Sequence, residues 1–133
     1  MKADRSDNAA VLAGHQAAQR FFAPCFEGGD SKEHLWVAHV DDAARCLYLG
    51  RYAGGESAIT LPVRSILEDA IRLGSSGVVL AHNHPSGDAM PSDEDCQATR
   101  KLAQAGEAFD LSIVDHLIFA GGECRSLRRM GLL

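Results

Sequence analysis

No stretch of this chain is apolar for long enough to cross a membrane as a helix. Its four cysteines, Cys25, Cys46, Cys96 and Cys124, never fall into a Cys-x-x-Cys pair. That spacing argues against a cysteine zinc site and, without an export signal, against a disulfide framework. The N-terminus, MKADRSDNAAVLAG, lacks a basic start followed by an uninterrupted apolar block, so it does not read as a secretory signal. The compartment expected on these grounds is the cytoplasm. Basic charge is scarce too. Lys and Arg number 13 against 18 Asp and Glu, and the resulting net charge of −5 offers no bulk attraction for nucleic acid. The one basic cluster, Arg125, Arg128 and Arg129, is small and reads as a solvated surface patch. Nothing in the sequence speaks to oligomeric state.

What is present suffices for one domain, since 133 residues can enclose a core without staples. SDNAAVLAGHQAAQRFFAP predicts a helix opened by Ser6 or Asp7 and stopped before Pro24, with Val11, Leu12, His15, Ala18 and Phe22 on one side. EHLWVAHV and RCLYLGRY favour β-structure and, joined by DDAA, predict a hairpin. A turn is expected at GGE, 54–56, and a short strand at AITL. VRSILEDAIRLG places Ile66, Leu67, Ala70, Ile71 and Leu73 at helical spacing, with Gly74 as C-cap. GVVLAH reads as a buried strand, SDEDCQATRKLAQAGEAF as an amphipathic helix and LSIVDHLIFA as a returning strand. Strands alternating with helices predict an α/β fold, a sheet covered by helices on both faces.

The chemistry concentrates in LAHNHPSGDAMPSDED, 80–95. His82 and His84 lie two apart at a strand end, so their side chains share a face while Asn83 points away. Pro85 stiffens the exit and Gly87 lets the loop turn back. Ser92 falls where a helix N-cap belongs, before three acidic residues suited to a first turn. Asp95 lies one turn in and can swing back toward the strand end. Two imidazoles and one carboxylate make a three-ligand set that leaves a fourth zinc position for water, the composition of a catalytic zinc site. Each part alone has a simpler meaning. His-x-His is common, and Asp95 could merely complete a capping box with Ser92. Their coincidence in one strand–loop–helix unit favours the metal.

HNHPSGDAMPSDED resembles the JAMM (MPN-plus) zinc metalloprotease motif. With Thr99, DHLIF and the closing RRMGLL, the chain looks like the JAMM domain of the bacterial RadC family over roughly residues 30–133. The resemblance implies a mixed β-sheet flanked by helices, of JAB/MPN architecture related to the cytidine deaminases. It divides the chain into an N-terminal helix and loop, 1–30, and a RadC-like domain, 31–133. It makes His82, His84 and Asp95 the zinc ligands and Ser92 an oxyanion donor. It also implies an upstream glutamate on the first strand, and Glu33 is the match. A carboxylate there can take a proton from the attacking water and return it to the leaving amine. Two departures stand out: the family's usual N-terminal helical region has no room here, and PVRSI replaces the common Pro-Arg-Glu at 62–66. Asp115 and His116 match the family's Asp-His pair. Neighbouring strand residues face opposite ways, so at most one turns toward the metal. Asp115 is the candidate for steadying a ligand, and a hydrogen-bonded pair within the sheet is the simpler alternative.

The implied activity is zinc-dependent hydrolysis of a peptide or isopeptide bond in a protein or peptide substrate. The family name points toward DNA repair, although the acidic chain shows no DNA contact. A cytidine-type deaminase would need His-x-Glu and Pro-Cys-x-x-Cys, both missing here. An HNH nuclease would spread those three residues over a larger motif. The principal alternative is a non-catalytic MPN-type interaction module with a retained metal site.

Overall fold

In the computed structural model, which describes residues 9–28, 31–52 and 61–133, the apolar runs of the sequence become the centre of a five-stranded mixed sheet. The strands are β1 (Leu35–Val40), β2 (Cys46–Tyr52), β3 (Gly77–Asn83), β4 (Ser112–Ala120) and β5 (Glu123–Ser126). Their order is β2-β1-β3-β4-β5, with β3 and β4 parallel and the other pairs antiparallel. β3 is buried along its whole length, as suits its apolar GVVLA run in a central strand with both faces covered, and the burial extends to the polar His82 and Asn83.

Three helices do the covering: α1 (His15–Phe22), α2 (Val63–Leu73) and α3 (Asp93–Glu107). The period of two along the strands sorts the core into two halves. Leu35 and Val37 of β1 and Val78 and Leu80 of β3 pack with Ile66 and Ala70 of α2 and Leu102 of α3. Ala38, Val40, Val79, Ala81 and Leu117 pack with Leu12, Ala18 and Phe22 on the opposite face. The expected α/β sheet with helices on both faces is therefore the fold observed. No helix among the described residues is long and apolar enough to cross a membrane.

Several local expectations hold for stated reasons. The β1–β2 hairpin closes over Asp41, whose Oδ1 accepts from the Ala43 and Arg45 amides at 2.9 Å each. Gly74 caps α2 in the left-handed region, at φ 67°. Along the same helix Ile71 is exposed although its spacing placed it on the apolar stripe.

The first helix is shorter than its sequence predicts. Residues 10–12 are extended, with the Leu12 amide donating to Ala44 and the Cys46 amide donating to Ala10, both at 2.8 Å. Pairing with the hairpin outcompetes helix there, and Gly14 at φ 88° makes the turn into α1. Val11 is accordingly exposed, whereas Leu12, Ala18 and Phe22 are buried. The α-helix does stop before Pro24, passing into a 3-10 turn over Ala23–Phe26. Ser6, Asp7 and the turn at 54–56 lie outside the described residues, as does AITL except Leu61.

β5 was not expected. Its signal was Gly121-Gly122, a two-residue hairpin loop with φ 55° and 83°. Gly121 serves a second purpose, because a Cβ there would meet the Gly87 carbonyl oxygen at 2.8 Å. The loop after β3 rests on that bare backbone. Arg128 is more than a solvated cation: its guanidinium donates to the Val114 and Ile113 carbonyls.

Candidate metal centre

The end of β3 and the start of α3 meet at one point, and the 80–95 loop joins them. Ser92 is the N-cap of α3. Its Oγ accepts from the Asp95 amide at 3.0 Å, while its own amide donates to Asp95 Oδ2 at 2.9 Å, a complete capping box. The simpler meaning of Asp95 is thus real, and it is only half of what this carboxylate does. Asp95 Oδ2 also lies 3.1 Å from His84 Nε2, and Oδ1 lies 3.6 Å from His82 Nε2. One ligand atom from each of His82, His84 and Asp95 falls within 4.8 Å of the others.

Two features of this cluster fit a cation. His82 is 1% exposed, and its Nε2 has no hydrogen-bond partner among the described residues. An orphaned buried nitrogen is costly unless something occupies its lone pair. The second feature is at His84, whose Nδ1 donates to the Asp88 carbonyl at 2.8 Å. In a neutral ring this leaves an Nε2 lone pair facing the Asp95 carboxylate, and a cation between them removes the conflict. Two histidines and a carboxylate are a donor set for divalent transition metals, zinc and iron among them.

Electrostatics reinforce the picture. Burial pushes the His82 imidazole down to about 3, helped by the nearby His84, and so favours the neutral ring that a metal needs. His116 is pushed well below the ordinary histidine value by its complete burial. The acidic first turn of α3, Asp93, Glu94 and Asp95, lies where the helix dipole favours negative charge.

Glu33 precedes β1, which starts at Leu35, and it shares a cavity of about 320 Å³ with His84, Ser92 and Asp95. Burial raises its carboxyl above the usual range; His84 opposes this and Asp95 adds to it. Asn83 holds the segment in place. Its Oδ1 accepts from the His34 amide at 2.7 Å and its Nδ2 donates to the Lys32 carbonyl at 2.9 Å, one bond on each side of Glu33. The middle residue of the His-Asn-His run therefore points away from the cluster, as its parity predicts, and clamps the glutamate's backbone from there.

Asp115 makes hydrogen bonds that run away from His82, His84 and Asp95. It lies on the α1 face of the sheet, accepting from Ser126 Oγ and the amides of His116 and Arg128. The adjacent residue is the one that meets His82: His116 Nε2 lies 2.7 Å from His82 Nδ1, and Thr99 Oγ1 lies 2.7 Å from His116 Nδ1. Sequence reasoning missed both contacts. Thr99, one turn beyond Asp95, was the available signal, but only the parallel pairing of β3 with β4 brings His116 alongside. The four cysteines are free thiols raised by burial, Cys124 to about 12, which leaves them poor nucleophiles.

Fold and cluster together define a class, an α/β domain of JAB/MPN architecture with a His-His-Asp group able to hold a metal ion. A profile of the RadC-like JAB domain matches residues 12–132, and the chain belongs to that family. Among curated relatives, a UPF0758 protein of Chloroflexus aggregans is 37% identical over 102 residues, 76% of this chain and 44% of that protein. A UPF0758 protein of Methanospirillum hungatei is 36% identical over 107 residues, 79% of this chain and 47% of that protein. The chain thus spans under half the length of these relatives.

Proposed function

We propose that this chain is a zinc-dependent hydrolase of peptide or isopeptide bonds. The observation that carries the reading is the buried, unpartnered His82 Nε2, facing Asp95 beside His84, with Glu33 in the same cleft. His82, His84 and Asp95 would hold the ion. When bound, zinc would lower the pKa of a coordinated water and polarise a carbonyl oxygen.

The chain's own residues would do the rest. Glu33, with its raised pKa, would take the proton of the attacking water and return it to the leaving amine. In the capping box Ser92 spends an Oγ lone pair and not its hydroxyl proton. That proton is therefore available to an oxyanion formed at the substrate carbonyl. A second cavity of about 580 Å³, also bounded by His84 and Pro85, has Phe26 and Phe119 in its wall, stacked at 4.8 Å, and offers an apolar surface to a substrate side chain.

The test is elemental analysis of the purified protein, followed by a proteomic trap for peptides held by the Glu33→Gln variant. About one zinc per chain, with captured peptides that wild type cleaves, supports the proposal. Full zinc occupancy in the His82→Ala/His84→Ala double variant would overturn the site. Zinc loading without turnover, alongside a stable partner complex, would instead favour the non-catalytic interaction module.

A further inference from the structure

Behind His82 runs a chain of short contacts whose direction can be worked out proton by proton. Thr99 Oγ1 lies 2.8 Å from the Asp95 carbonyl oxygen, one helical turn earlier, and is buried. A carbonyl oxygen has no proton, so at that distance the threonine must donate; otherwise two lone pairs would face each other. The hydroxyl has one proton, and this bond uses it. The 2.7 Å contact between Thr99 Oγ1 and His116 Nδ1 must then be donated by the imidazole. A neutral His116 with its proton on Nδ1 presents a lone pair at Nε2. The 2.7 Å contact from that atom to His82 Nδ1 must be donated by His82. With the His82 proton on Nδ1, its Nε2 carries a bare lone pair, and this is the buried atom without a partner that faces Asp95.

We propose that Thr99 and His116 are positioning residues that hold His82 in the tautomer whose Nε2 lone pair is turned toward the metal. The relay begins on the backbone of Asp95 itself, so one helical turn presents a carboxylate ligand and also sets the proton position on an imidazole ligand. It rests on the metal-centre reading above and extends it to residues that would never touch the ion. His116 is 0% exposed and Thr99 1%, so neither can turn to water when its partner is removed.

Thr99→Val keeps the shape and removes the acceptor. His116 is then free to carry its proton on Nε2, which turns His82 Nδ1 into an acceptor and places a proton on the ligating atom. Zinc affinity, measured by chelator competition, should fall by about 10–100-fold. Thr99→Ser, which restores the hydroxyl, should recover most of the loss. A circular dichroism melt reports whether each variant is folded. Unchanged zinc affinity in folded Thr99→Val would overturn the proposal. If that variant does not fold, the wild-type protein decides the matter. Nitrogen-15 NMR of the histidine rings in the metal-free chain should show His116 and His82 both protonated at Nδ1, and protonation of His116 at Nε2 would overturn the relay. A wild-type chain that takes up no zinc would sink the metal centre instead, while the ring tautomers would still test the relay.

Discussion

Asp95 shows how much one side chain can carry. Its Oδ2 closes the capping box of α3 and faces His84 while its Oδ1 faces His82, so the helix start and the candidate site cannot be changed independently. Glu33 is the opposite case, lining the cleft yet lying outside the three-ligand set. Glu33→Gln keeps nearly the same shape but cannot accept a proton. Hydrolysis should collapse in this variant while zinc stoichiometry stays at the wild-type level, and parallel measurement of metal content and turnover separates this from ligand loss. Ser92 divides along similar lines. Ser92→Ala should cost about 1 kcal/mol through the lost cap. As an oxyanion donor it should also lower turnover by roughly 100-fold. Melting temperature and rate on the same sample test both, and a small stability loss with full turnover would leave only the cap.

At the scale of elements, the β1–β2 side of the sheet is tied to α2 by a second polar network. Tyr52 donates to Asp69 of α2 and so accepts from His39 Nε2 at 2.8 Å, while His39 Nδ1 meets Ser75 Oγ at 3.2 Å. These bonds join β1, β2, the C-terminal half of α2 and the turn that follows it around a fully buried imidazole. Burial pushes His39 down to about 4, with Asp69 opposing the shift and Arg72 adding to it. Because the folded value lies below the unfolded one, the unfolded chain binds the extra proton between about pH 6.5 and 4. The contribution is present above that window, is lost as pH falls through it and levels off below. It should amount to roughly 2–4 kcal/mol. Urea unfolding of wild type and His39→Gln at pH 7, 5.5 and 4 should show a steeper decline for wild type; parallel declines would show that His39 does not carry the effect.

For the whole molecule, the cluster draws on parts distant in sequence: the segment before β1, the end of β3, the start of α3 and the middle of β4. Zinc bound only by the assembled form should stabilise the fold by about 4 kcal/mol at a thousand times its dissociation constant. A calorimetric scan should therefore show a melting temperature that rises with zinc in wild type and stays put in His82→Ala/His84→Ala. An equal rise in both would place the ion elsewhere.

Much of this was legible in the chain itself. The GVVLAH run read as a buried strand, the Ser92–Asp95 spacing marked a helix start, and His-x-His at the strand end placed two imidazoles on one side. Local periodicity and capping chemistry are properties of neighbouring residues, so a sequence can state them. The limits of α1 were not legible, because residues 10–12 pair with a hairpin more than thirty positions away. Nor was the choice between Asp115 and His116, since alternation says only that they diverge. Which of them meets His82 depends on the register of β4 against β3, including the irregularity between Val78 and Val79. The candidate metal-holding residues were written in the sequence, but tertiary structure decided what stands behind them, because pairing between strands, and no local preference, brought His116 and Thr99 to the back of His82.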